Sequence, residues 1–201
     1  MNLYSLIVNF SVILLIYLVK KYSRTGLTEE NFWKLIFFVI INSLIGAKIF
    51  HLLENLNFYM SNPQFIEVSK GYSILGSIIF GYLTINFFER KFKTDLLNIK
   101  INLFLFLPVI QMIGRLGNIT NHELLPFSYY EIFLNLLNFL ILFYIYKFKD
   151  KRIIPFCYFI NYGILRLFIE ILKGNLGFLF FSSILIMFYG FFHLIKLRLK
   201  V

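Results

Sequence analysis

The chain has 201 residues, 59% of them hydrophobic, 20% aromatic and only 15% charged, with a mean hydropathy of +0.77. A soluble domain of this length has too little interior for so many apolar side chains, and a disordered or collagen-like chain would need far fewer of them or far more Gly and Pro. The formal charge of +10 would elsewhere suggest nucleic acid, but the placement of the 20 Lys and Arg argues for membrane sidedness instead, and no nucleic-acid partner is expected. Cys157 is the single cysteine. It excludes a disulfide framework and a CxxC cluster, and neither a metal nor another cofactor is expected.

A hydrocarbon core of roughly 30 Å takes about 20 helical residues. Seven stretches qualify in chain order: residues 3–19, 32–53, 71–88, 101–119, 130–146, 153–172 and 177–195. The expected fold is an all-α integral membrane protein, one seven-helix transmembrane domain over residues 1–201 with little or no soluble head domain. The first stretch lacks a basic start and a small-residue cleavage site, so it reads as a retained helix rather than a signal peptide. Fourteen of the 20 basic residues follow spans one, three, five and seven: Lys20, Lys21 and Arg24; Arg90, Lys91, Lys93 and Lys100; Lys147, Lys149, Lys151 and Arg152; Lys196, Arg198 and Lys200. The opposite side carries Lys70 and Lys173. This alternation predicts an outside N-terminus and a cytoplasmic C-terminus.

Charged residues inside a bilayer cost several kcal/mol and are functional candidates by default. On the predicted topology they gather toward the outer side. Span four ends outside with Gln111, Arg115 and Asn118 on one helical face, followed by Asn121, His122 and Glu123. Span six carries Tyr162, Arg166 and Glu170 on one face, and span five carries Glu131, Asn135 and Asn138. Lys48, His51 and Glu54 close span two. Such residues serve either as interhelical glue, with Arg166 and Glu170 satisfying each other, or as a site. Two arginine forks at one depth suit a phosphate bidentately and point to a phospholipid headgroup.

The run Gly114-Arg115-Leu116-Gly117-Asn118-Ile119-Thr120-Asn121-His122-Glu123 resembles the GRxGNFxNxE signature of the prolipoprotein diacylglyceryl transferase family. Gly46-Ala47-Lys48-Ile49 is similar to its GxRI, Tyr59 to Pro63 to its Y-x-x-x-P loop, and Pro126 to Glu131 to the end of HPSQLYE. Tyr162 through Glu170 resembles YGxxRFxxE. The resemblance implies a transferase in the bacterial cytoplasmic (inner) membrane with its site facing outward. Its partners would be phosphatidylglycerol, the lipobox cysteine of a preprolipoprotein signal peptide, and the surrounding membrane lipids. It further implies that Arg115 and Arg166 hold the lipid phosphate and stabilise the leaving group, and that Asn118, Asn121 and Glu123 orient the headgroup and loop. Glu170 would fix Arg166, and Tyr162 and Lys48 would contact the lipid.

The sequence departs from the family at several points. Leu75 stands where the family's HGG histidine falls, Lys48 replaces an arginine, and Ser77 replaces a glycine. A thiol with a pKa near 8.5 must lose its proton to attack, so His122 or His51 at the outer boundary is the candidate base. Either can equally be an interfacial histidine without a catalytic part. Two alternatives follow: a transferase of the same fold with another acceptor, or a non-catalytic lipid-binding membrane protein.

Overall fold

The computed structural model describes residues 3–23, 26–63, 71–121 and 125–199. Eight α-helices follow in order: α1 Leu3–Tyr22, α2 Glu29–Glu54, α3 Leu56–Ser61, α4 Ile74–Phe92, α5 Leu97–Thr120, α6 Phe127–Phe148, α7 Ile154–Leu172 and α8 Phe178–Arg198. A 3-10 turn, Lys151–Ile153, leads into α7. There is no strand among the described residues. Six of the helices, α1, α2 and α5 to α8, are long and apolar enough to cross a membrane. The chain is an all-helical, multi-pass membrane protein.

The stretch expected as the third span forms helix α4, which begins at Ile74 rather than residue 71 and is not among the helices apolar enough to cross. Gly71 sits at φ 71°, outside the helical region, and the Ser73 N–H donates to the Ala47 carbonyl at 3.0 Å rather than within a helix. The 19 residues of α4 end in Arg90 and Lys91, and its Thr84, Asn86 and Glu89 dilute its apolar character. The short helix α3 was not expected from the sequence. Six residues are too few to show a periodicity.

The chain divides into two compact units, residues 25–96 and residues 1–24 with 97–201. In the first, α2 and α4 cross with their backbones nearly touching. A Cβ on Gly46 would lie 2.6 Å from the Gly76 carbonyl oxygen, and one on Gly81 would lie 2.7 Å from Ser43 Oγ. Small residues let helices approach where lipid supplies no hydrophobic driving force, and interhelical hydrogen bonds add to the packing. Asn42 Nδ2 donates to Thr84 Oγ1 at 3.0 Å, and Ser77 Oγ donates to the Ser43 carbonyl at 3.1 Å. The serine that departs from the family pattern therefore ties the two helices together.

In the other unit, α5 and α7 form the centre. Pro108 lies inside α5 and is buried. Phe104 meets the rings of Tyr158 and Phe159 at centroid distances of 5.0 and 4.9 Å. These geometries are in the favourable range for aromatic pairs. Helix α1 packs on α5, where Asn102 Nδ2 donates to Ser23 Oγ and Ser23 Oγ donates to the Asn98 carbonyl, at 3.1 and 3.2 Å. Helix α8 packs on α7 through glycines: a Cβ on Gly163 would fall 2.9 Å from the Ser183 carbonyl oxygen, and one on Gly190 would fall 2.7 Å from that of Phe156. Cys157, the single cysteine, is half-buried on α7.

Candidate active site

The site rests on the C-terminal halves of α5 and α7 and the start of α6. Helix α6 buries Ser128, Glu131, Asn135, Asn138 and Leu142. Their spacing of three and four residues puts them on one face. The polar seam expected from sequence thus faces the packed interior. At its top, Glu131 bridges two helices: Arg115 Nε, from α5, pairs with its Oε2, and Arg166 Nη1, from α7, lies 3.5 Å from its Oε1. One turn further along α7, Arg166 Nη2 donates to Glu170 Oε1 at 3.0 Å. Glu170 is held on its other oxygen by Asn175 Nδ2 at 3.1 Å, and Lys173 Nζ lies 3.7 Å from Oε1.

Burial makes this cluster costly to assemble and hard to break. The side chains of Arg115, Glu131 and Glu170 are only 13%, 5% and 1% exposed. Charges so far from water need partners and hydrogen bonds to offset desolvation. Among the described residues, three cations (Arg115, Arg166 and Lys173) face two carboxylates (Glu131 and Glu170). The surplus is positive and suits an anion.

Beneath the cluster the seam continues. Gln111 Nε2 donates to the Tyr158 hydroxyl at 3.0 Å, and Tyr158 stacks on Tyr162 at 5.6 Å with the rings 8° apart. Asn161 Nδ2 donates to Asn138 Oδ1 at 3.0 Å, and Asn135 Nδ2 donates to the Glu131 carbonyl at 2.8 Å. Gln111 Oε1, Asn135 Oδ1 and Asn138 Nδ2 are buried without a hydrogen-bond partner among the described residues. Asn118 is buried on α5, 5% exposed, and Asn121 follows the end of that helix with its N–H on the Gly117 carbonyl.

The structure therefore brings Arg115, Arg166 and Glu170 into one cluster, with Tyr162 below them on α7. His122 and Glu123 lie outside the described residues. Lys48 and His51 belong to the other unit. There, Lys48 Nζ stands 5.7 Å from the Tyr72 ring centroid. His51 Nε2 is 3.1 Å from the Tyr59 hydroxyl, and Asn55 Nδ2 is 3.5 Å from His51 Nδ1. Leu75 is 1% exposed. Glu131 was not among the expected site residues although it lay in the buried stripe; a signal was present, since it closes a family-like segment.

Residues 1–195 match the profile of the family described as prolipoprotein diacylglyceryl transferase. A phosphatidylglycerol--prolipoprotein diacylglyceryl transferase from Thermotoga petrophila is 29% identical over 113 residues, covering 52% of this chain and 36% of that protein. Proteins of the same name from Finegoldia magna and Clostridium tetani are 27% identical over 198 residues and 23% over 183. These matches cover 86% and 78% of this chain, and 79% and 74% of those proteins. The chain thus spans little more than a third of the Thermotoga petrophila relative (36%) and most of the other two. With a profile match over nearly its whole length, the chain belongs to the prolipoprotein diacylglyceryl transferase family.

Proposed function

We propose that the chain transfers the diacylglyceryl group of phosphatidylglycerol to the lipobox cysteine of a preprolipoprotein. The observation that carries this reading is the buried cluster in which Arg115 and Arg166 share Glu131, set in motifs of the family. The protein is one seven-helix domain in the bacterial cytoplasmic membrane, with α4 as the remaining span. Its N-terminus is outside, its C-terminus is cytoplasmic and its active site faces the extracytoplasmic side. The alternation of basic residues along the chain supports this orientation.

In the reaction, the cysteine sulfur attacks the glycerol carbon that bears the phosphate ester. The C–S bond forms as the C–O bond breaks, the electron pair leaves on the phosphate oxygen, and glycerol phosphate departs. Negative charge therefore grows on the phosphate in the transition state. Guanidinium donors already fixed by carboxylates stabilise that charge without having to reorganise. Arg115 and Arg166 take this part; Asn118, Asn121, Tyr162 and Lys48 bind the lipid, and Glu123 orders the loop. Glu170 positions Arg166. The thiol proton goes to His122, assigned from its place in the motif.

Leu75 favours a second reading, in which the same fold serves another acceptor, because a buried leucine offers no proton acceptor. Proteoliposomes with labelled phosphatidylglycerol and a lipobox peptide separate the two. The proposal expects a thioether-linked peptide and free glycerol phosphate, both lost in Arg115→Ala. Lipid turnover without peptide modification supports the other acceptor, and no turnover at all removes the enzymatic reading.

A further inference from the structure

Between α2 and α4 runs a groove of about 550 Å³. Its walls are apolar and largely aromatic: Phe38 from α2, and Phe80, Leu83 and Phe87 from α4. Leu83 and Phe87 are 54% and 61% exposed, so the groove opens sideways. Along α4, the lining runs from Phe80 to Lys91, which is about 16 Å at 1.5 Å per residue. That is about the depth of one leaflet's hydrocarbon, half of roughly 30 Å.

The two ends of the groove differ in charge. Lys91 closes the end at the C-terminus of α4 and follows Arg90. Neither has a carboxylate partner among the described residues. Lys34, at the adjoining end of α2, is engaged by Glu30 at 2.5 Å, and Glu89 accepts from the Leu96 N–H at 3.2 Å. Midway along the wall, Asn42 gives one amide hydrogen to Thr84 Oγ1 and Thr84 gives its own to the Phe80 carbonyl. An amide nitrogen carries two hydrogens, so Asn42 keeps a second donor. Thr84 lies about 10 Å from Lys91 along the helix.

We infer that this groove binds one anionic phospholipid of the leaflet that meets Lys91, with an acyl chain along the aromatic walls and the phosphate at Lys91 and Arg90. Asn42 is placed to donate to a polar atom of the lipid below its headgroup. On the orientation proposed above, this is the cytoplasmic leaflet, opposite the site of transfer. Only that choice of leaflet rests on the proposed function, since the binding itself requires no transfer.

The test is quenching of a tryptophan in the groove by brominated lipids. The full chain carrying Trp33→Phe and Leu83→Trp is reconstituted in liposomes containing brominated phosphatidylglycerol or brominated phosphatidylcholine. Half-maximal quenching is expected at an about fivefold lower mole fraction of the brominated phosphatidylglycerol. Lys91→Gln should bring the two curves together, and Phe87→Trp serves as a second reporter in place of Leu83→Trp. Equal quenching by both lipids, no quenching by either, or an unchanged preference in Lys91→Gln overturns the inference. So does an equal preference at a control Leu140→Trp reporter, which would mark general attraction of anionic lipid. Transfer activity is not read, so failure here leaves the proposed reaction standing, and loss of activity leaves the groove standing.

Discussion

Arg115 and Arg166, on different helices, hold opposite oxygens of one carboxylate, that of Glu131. The two guanidinium groups are not equivalent. Arg115 meets the carboxylate through Nε, and no second carboxylate pairs with Arg115 among the described residues. Arg166 places Nη1 on Glu131 and Nη2 on Glu170. One arginine is tied to a single carboxylate, while the other is held between two.

Removing the shared carboxylate leaves two buried cations facing each other. Breaking a buried ion pair from one side costs about 3–5 kcal/mol. Glu131→Ala is therefore expected to lower the apparent Tm in detergent strongly and to abolish transfer. Glu131→Gln keeps the shape and some hydrogen bonding and should fall between it and the parent. An apparent Tm of Glu131→Ala within a degree of the parent would show that the pair carries no stability.

The inequality of the arginines predicts different losses on conservative substitution. A lysine offers a point charge but not a planar fork. Arg115→Lys should raise KM for phosphatidylglycerol or lower kcat with little change in Tm. Arg166→Lys should lower Tm more, because Glu131 and Glu170 both lose a donor in one substitution. Kinetics in proteoliposomes together with thermal melts of both variants check this, and equal Tm losses would contradict it.

Much of this site was legible from spacing. The stripe of Glu131, Asn135 and Asn138 was readable because a helix repeats its faces every three to four residues, and all three are buried. The spans were readable because apolar length is set by the bilayer. The pairing was not. That Glu131 reaches Arg115 and Arg166, or that Gln111 meets Tyr158, depends on how α5, α6 and α7 are rotated against one another, which local pattern does not encode. Asn175 on Glu170 was hidden for another reason. The turn after α7 folds back, with Gly174 at φ 67° and the Asn175 N–H on the Glu170 carbonyl.

Outside the spans, Asp150 shows a pH dependence of definite sign. The Arg152 guanidinium, Nε at 2.9 Å, and then the Arg152 backbone N–H, also at 2.9 Å, hold its carboxyl below the usual carboxylate range. A carboxyl lowered on folding stabilises fully above its unfolded value of about 3.9 and loses that contribution as pH falls through the lowered folded value. The side chain is 40% exposed, so solvent screening keeps the effect to about 0.5 kcal/mol or less. Asp150→Asn should flatten the fall in Tm below about pH 4 slightly and leave neutral-pH activity unchanged. Melts from pH 3 to 7 measure it.

The glycines give the sharpest contrast in packing. A Cβ on Gly46 would stand 2.6 Å from the Gly76 carbonyl oxygen, which is backbone and cannot swing aside. Gly46→Ala must therefore push α2 and α4 apart, at about 1–3 kcal/mol for overpacking. At Gly114, beside Arg115, a Cβ meets no described atom within 4 Å. Alanine there removes conformational freedom from the unfolded chain, and Gly114→Ala should raise stability by about 0.4–1 kcal/mol. Tm values measured in the same detergent should move in opposite directions. If Gly114→Ala gains stability yet loses transfer, then the open space beside Arg115 is where the lipid headgroup has to fit.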